Sequence, residues 1–291
     1  MKPARFDYVR AESVAHAVEA LARAGGDGKV MAGGQSLMPM MNFRLVQPSV
    51  LVDINRIAGL DRIARRGDRL ALGALVRHRM TAEDPLIARH VPVLHAAMKH
   101  VAHLTVCNRG TFCGSVCHAD PAAEMPMMSL LLDATLAITS PRGSRTLPAR
   151  DFFVGSLATA LEPDEMVTEI EMDIPPPGTG WGFEEFARRH GDYALAAVAV
   201  TLERRDGRAH DVRLAVMGVG EMPARLGAVE ALLEGATLDA ARLDEAVDAL
   251  RAAITPTGDL NASADYRRHL AGVLARRALK DAWTRAGELP A

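Results

Sequence analysis

The hexapeptide PPPGTG, Pro175–Gly180, restricts the possible folds more than any other stretch of this chain. Its prolines cannot donate to a helix or a central strand, and its two glycines favour an irregular path. No single helix or strand runs through it. A length of 291 residues suits two compact units at about 150 residues each. The expected division is therefore one unit over residues 1–176 and a second over 177–291.

The first unit reads as two smaller pieces. In the first, Ser13 precedes VAHAVEALARAGG, where Val14, Ala17, Val18 and Leu21 share a helical face and Gly25-Gly26 supply the stop. A short strand over Val30–Ala32, a glycine turn and a second strand over Ser49–Ile54 follow, the order of a small parallel α/β layer. From Arg56 the pattern changes. DRIARRGDRLALGALV reads as a hairpin about a Gly-Asp turn. Thr81-x-x-Asp84 reads as a capping box with Pro85 early in a helix through LIARHVPVLHAAMKHVAHL, irregular at Pro92. Thr105–Pro126 reads as a loop leading into a helix, PAAEMPMMSLLLDA, with Asp120 as its cap and Pro121 in its first turn. Strands are expected at Thr135–Ser140 and in EMVTEIEMDI. Beyond the linker, two strands flank a turn at Asp206-Gly207, and DEAVDALRAAI and DYRRHLAGVLARRALKDAW are helical by apolar spacing.

Composition removes several functions. A formal net charge of −2 makes no electrostatic case for nucleic acid or a membrane surface, and 4% aromatic content leaves little for base stacking. The longest apolar runs, such as Tyr193–Leu202, fall short of the roughly 20 residues a membrane helix needs. No apolar run follows the first charges, and the three cysteines form no disulfide framework, so a cytoplasmic location is expected.

Two glycine-bearing turns are the candidates for function. Ala32-Gly33-Gly34-Gln35-Ser36-Leu37 follows a strand, and paired glycines let backbone N–H groups approach an anion. Neither the dinucleotide fingerprint G-x-G-x-x-G nor a P-loop is present, so a plain structural corner remains open for this turn. In the second, Thr111, Gly114 and Ser115 offer two hydroxyls and a close backbone approach, and Glu124 stands where it could accept from ribose hydroxyls. Two such turns about 75 residues apart suit the clamping of a dinucleotide.

AGGQSL together with NRGTxxGSxxHADPAAExP resembles the flavin-binding medium subunits of the molybdenum hydroxylases, which include carbon monoxide dehydrogenase, xanthine dehydrogenase and bacterial N-heterocycle dehydrogenases. A third segment, RRHGDYALAAVAV (Arg188–Val200), read as a strand opening the second unit, extends the resemblance over nearly the whole chain. The resemblance implies an α+β protein: a PCMH-type FAD-binding domain with subdomains at about 1–55 and 56–176, then a smaller C-terminal α+β domain with an antiparallel sheet and helices. By position, Ala32, Gly33, Gly34, Gln35, Ser36 and Leu37 would wrap the FAD pyrophosphate. Thr111, Gly114 and Ser115 would hold it from the other side. Ala119, Asp120 and Glu124 would reach the ribose and ribityl region, Val101 and Ala102 would line the cofactor, Val167 would pack near the adenine, and Tyr193 would lie near the isoalloxazine. Cys113 stands where the family commonly has a glycine, so the turn must avoid a left-handed backbone there or carry strain.

The resemblance also implies partners: a large subunit with the molybdenum cofactor, a small subunit with [2Fe-2S] clusters, and a dimer of heterotrimers. Electrons would pass from iron–sulfur centres through FAD to an external acceptor, with no catalytic acid, base or nucleophile in this chain. Two other readings stand beside it, an autonomous flavoenzyme with its own substrate and a scaffold subunit that has lost FAD. Cys107-x5-Cys113-x3-Cys117 matches no paired C-x2-C ligand pattern, and the cysteines read as small buried hydrophobes in a loop. The Met-rich LMPMM and MPMM serve as core filling or an apolar flavin wall, and Arg188-Arg189 pair with carboxylates or face a partner.

Overall fold

The computed structural model describes residues 1–288. Strand β1 (Asp7–Arg10), which the sequence pattern did not reveal, precedes α1 (Val14–Arg23). Ser13 caps α1 by accepting from the His16 amide, and Ala17, Val18, Ala20 and Leu21 are buried. β2 (Gly28–Met31), α2 (Leu37–Asn42) and β3 (Val50–Asp53) complete a parallel three-stranded sheet in the order β1-β3-β2.

The hairpin forms as β4 (Ile63–Arg66) and β5 (Arg69–Gly73). The helix expected after it is broken into α3 (His78–Glu83), α4 (Pro85–His90) and α5 (Pro92–Ala97). Thr81 lies inside α3, with its hydroxyl donating to the Arg77 carbonyl, so no capping box forms. Asp84 is itself the cap, accepting from the Leu86 and Ile87 amides, because its extended backbone leaves its carboxylate facing them. Pro92 removes a donor and forces the second break at Val91.

Thr105–Pro126 is more helical than a loop. It contains α6 (Leu104–Cys107) and α7 (Phe112–His118), and α8 (Glu124–Leu131) starts at its end. Asp120 caps a tight turn, accepting from Ala122 N at 2.9 Å, and Ala123 is the N-cap of α8, so Asp120 and Pro121 precede that helix. Then come β6 (Thr135–Ser140), β7 (Gly143–Pro148), α9 (Ala149–Phe152), β8 (Phe153–Gly155), β9 (Ala158–Thr159) and β10 (Met166–Asp173). β4-β5-β10-β6-β7 form an antiparallel sheet.

After the linker, β11 (Gly180–Phe186), β12 (Ala196–Arg205), β13 (Arg208–Met217) and β14 (Ala224–Arg225) make a second antiparallel sheet. Arg188–Leu195, expected as strand, leaves the sheet as a loop and carries Tyr193 with it. α10 (Gly227–Leu233), α11 (Ala240–Ala253) and α12 (Ala264–Glu288) follow. β12 is buried on both faces: Ala197 and Ala199 join the core of the preceding residues, while Ala196, Val198, Val200 and Leu202 join a core shared with α10–α12. That double burial explains its unbroken apolar run. Charges fasten the sheet to what precedes it. Arg213 on β13 meets Asp173 at 3.0 Å and Asp133 at 3.1 Å, and Arg225 meets Asp133 at 2.7 Å.

Candidate flavin-binding site

The two glycine-bearing turns meet. A Cβ placed on Gly33 would stand 2.7 Å from Gly110 Cα and nearer still to the Arg109 carbonyl oxygen. Only glycine permits this approach. Gly34 has φ +70°, a left-handed conformation that glycine adopts without penalty, and Gln35 folds back to donate to the Gly33 carbonyl at 3.2 Å. Ser36 precedes α2 without a side-chain capping bond. On the other side Thr111 caps α7, its hydroxyl accepting from Gly114 N at 3.0 Å. Gly114 and Ser115 are therefore helical, and so is Cys113. Its Cβ meets no left-handed backbone, and the side chain is 2% exposed.

Beside the first turn lies a cavity of about 490 Å³, bounded by Ala32–Gln35, Met38, Asn55, Arg56, Arg77 and Arg109 among others. Its wall is a hydrogen-bonded frame. Tyr8 donates to Asp53 at 2.5 Å, Asn55 donates to Ala32 O at 2.8 Å, and Arg77 donates to Asn55 Oδ1 at 2.5 Å and to the Arg109 carbonyl. Burial works to raise the Asp53 pKa, but bonds from Tyr8 and Asn55 outweigh it and hold the carboxyl below its usual range. Burial and then the positive charge of Arg109 pull Arg77 below its ordinary value. The frame thus carries an excess of positive charge that a diphosphate would relieve.

Tyr193 comes to the edge of the site from the third segment and stays largely exposed. Desolvation followed by the nearby Asp120 charge pushes its pKa up to about 12. It stays a neutral phenol over the physiological range. Glu124, the first residue of α8, is half-buried, and desolvation and Asp120 raise its pKa. Asp120, Glu124 and Tyr193, from two distant segments, therefore share one place.

Other positions lie further into the fold. Ala119 ends α7 in a left-handed conformation, φ +52°, and is fully packed. Val101 and Val167 are core residues, and Ala102 has φ +43° against Gly191. Leu37 begins α2. Sequence reasoning missed Arg56, Arg77 and Arg109 as wall residues; Arg109 stood inside the quoted NRGT motif without an assigned role. The cysteines are free thiols on or next to helices, not in a loop. Burial pushes Cys117 up to about 12, and Cys113 well above the ordinary thiol value. Among the described residues no group of three or more His, Cys, Asp or Glu is arranged to hold a metal, and no helix is long and apolar enough to cross a membrane.

A parallel layer and an antiparallel layer joined at amide-rich turns, with guanidinium groups alongside, define a dinucleotide-binding α+β protein. The chain matches the FAD binding domain in molybdopterin dehydrogenase over residues 4–176 and the CO dehydrogenase flavoprotein C-terminal domain over 181–282, and it belongs to this family of FAD-binding medium subunits of molybdenum hydroxylases. The nicotine 6-hydroxylase medium subunit of Paenarthrobacter nicotinovorans is 40% identical over 285 residues, covering 98% of this chain and 100% of the relative. The carbon monoxide dehydrogenase structure from Hydrogenophaga pseudoflava superposes with a TM-score of 0.96 at 38% identity, covering 98% and 99%. That of quinoline 2-oxidoreductase from Pseudomonas putida 86 gives 0.93 at 37%, over 98% and 99%. FAD is the cofactor of this oxidoreductase subunit, and the cradle that a Cβ at Gly33 would fill, with its cationic wall, suits the diphosphate of that molecule.

Proposed function

We propose that this chain carries electrons within a heteromeric molybdenum hydroxylase, from iron–sulfur centres of a small subunit to an external acceptor. The molybdenum cofactor would sit on a large subunit, in a dimer of heterotrimers in the cytoplasm. The observation that carries the reading is the meeting of Gly33 with Arg109-Gly110 beside a cavity walled by Arg56, Arg77 and Arg109. Bound FAD would supply the redox chemistry, taking electrons singly and passing them on. The chain's residues supply position and electrostatics. Amides of Gly33–Ser36 and the Thr111–Ser115 segment hold the diphosphate, with Arg77 and Arg109 balancing its charge. Ala119, Asp120 and Glu124 serve the ribose and ribityl region, Val101 and Ala102 line the cofactor, Val167 packs near the adenine, and Tyr193 covers one face of the ring system.

The same reading divides the chain at Pro175–Gly180 into a FAD-binding domain, 1–176, with subdomains at about 1–55 and 56–176, and a C-terminal domain from 177. Its last three residues, 289–291, lie outside the described ones. The family matches at 4–176 and 181–282 support that division. Affinity purification of the chain from its host, with an absorption spectrum and metal analysis, tests the function. Flavin bands together with co-purified molybdenum and iron are expected. A flavin-loaded chain that arrives alone and is bleached by a small organic substrate would establish an autonomous flavoenzyme instead.

A further inference from the structure

One buried carboxyl stands outside the two turns. Glu185 on β11 has a side chain only 2% exposed, and its Oε2 has no hydrogen-bond partner. Its Oε1 lies 3.9 Å from Nδ1 of His100, whose side chain is 40% exposed and packs on Phe183 with ring centroids 5.2 Å apart. Both residues border a cavity of about 180 Å³ that Arg189, His190 and Gly191 also line. On its inner side Glu185 is close enough to Glu124 for that charge to weigh on it. Half-buried Glu124, buried Glu185, the His100 imidazole and solvent therefore follow one another from the candidate flavin site to the surface.

We propose that Glu124, Glu185 and His100 form a proton conduit between solvent and the flavin site, with Glu185 as its middle relay. This inference rests on the electron-transfer reading given above. Reduction of oxidised flavin to dihydroflavin consumes two electrons and two protons. Iron–sulfur donors deliver electrons without protons, so the protons must come from water. Each transfer begins when neutral Glu124 gives up its proton inward. Glu185 restores it, His100 restores Glu185, and solvent restores His100, so the protein ends unchanged. The 3.9 Å gap and the unpartnered Oε2 leave places for a bridging water in a polar cavity of sufficient size.

The surrounding charges favour this traffic. Burial raises both carboxyls, Glu185 further because Glu124 adds to it, and a carboxyl kept neutral is one that can donate. Around Glu124 stand Asp120, Tyr193 and Cys107. Around His100 stand His190, whose Nε2 is 3.1 Å from the Lys99 carbonyl, and the Lys99 ammonium. Burial, then His190 and Lys99, depress the His100 pKa, so its imidazole is free to accept.

The test uses the full chain loaded with FAD, reduced in a flash experiment by photoreduced deazaflavin as the one-electron donor. In the wild type the rate of flavin reduction falls with rising pH and slows in D2O. In Glu185→Gln it falls on the order of tenfold or more and loses that pH dependence, with FAD content and visible spectrum unchanged. Infrared spectra of the cofactor-free chain at pH 7 show a protonated carboxyl band that Glu185→Gln lacks. Should that variant fail to fold, His100→Gln carries the kinetic arm. Wild-type rates and isotope effect in the variants, or no Glu185-dependent carboxyl band, overturn the conduit. A wild-type chain that takes up no FAD overturns the flavin reading and the conduit with it.

Discussion

Gly33→Ala is the substitution whose cost the structure specifies most closely. The backbone at Gly33 does not need glycine for its φ, so alanine fails there for lack of space alone. Its Cβ would lie 2.7 Å from Gly110 Cα and 2.9 Å from Arg109 C, both backbone atoms that no side-chain rotation can clear. Ordinary carbon contacts are about 3.5 Å or more, so the two turns must part by about 1 Å. Overpacking of this kind costs about 1–3 kcal/mol, and the bond from Arg77 to the displaced Arg109 carbonyl weakens as well. If the separation falls where the diphosphate binds, FAD affinity drops by about tenfold to a hundredfold, at 1.4 kcal/mol per decade. Fluorescence titration of apo-protein with FAD measures this, and thermal melting of the apo-protein reports the stability cost separately. Gly34→Ala is the control. Its φ of +70° makes alanine strained by about 1–2 kcal/mol, but its Cβ would meet only the flexible Met38 and Met31 side chains, at 3.3 Å and 3.6 Å, and would not part the turns. A Gly33→Ala protein that binds FAD as tightly as the wild type would refute the clamp, whatever its melting temperature.

His78 is buried with Nδ1 unpartnered, and burial lowers its pKa to about 4. The unfolded chain binds the proton first as pH falls from 6.5, so stability declines between pH 6.5 and 4 by about 3 kcal/mol; urea melts at pH 7 and 4 should show a smaller difference in His78→Gln. Arg213→Leu leaves Asp133 with Arg225 and Asp173 with Arg69 but removes the arginine these carboxylates and Asp211 share, and it lowers the urea midpoint by an amount equal to about 1–2 kcal/mol, with FAD affinity unchanged. Cys113→Gly places glycine inside α7 and empties a buried site. About 1–2 kcal/mol of stability is lost by thermal melting, while FAD affinity holds because the thiol faces the Leu72 and Gly73 carbonyls and not the turns.

What could be read before the structure was local. The Ser13 cap, the glycine stop of α1, the hairpin turn at Asp206-Gly207 with φ of +50° and +74°, and the apolar run of β12 each follow from neighbouring residues. The misreadings share one cause, which is short segments whose state depends on distant partners. β1 is four residues, mostly exposed, and exists because β3 pairs with it in parallel. β7 is mostly polar and is held by β6. The segment after Thr105 looked like a loop because glycines and cysteines are poor helix formers, yet Thr111 capping and burial of Phe112, Cys113 and Val116 make it helical. In the candidate site, the glycine turns were visible as motifs. The arginine wall and the Glu185–His100 pair were not, since the loop after β3, the N-cap of α3, the turn after α6, the segment after α5 and β11 supply them from separate parts of the chain.

Hydrogen–deuterium exchange of the apo chain with and without FAD most directly tests whether the two turns grip one cofactor. FAD is expected to slow exchange at Gly33–Ser36 and at Thr111–Ser115 together, with both effects saturating at one FAD per chain. Protection of only one turn, or of neither while FAD is bound, would contradict it.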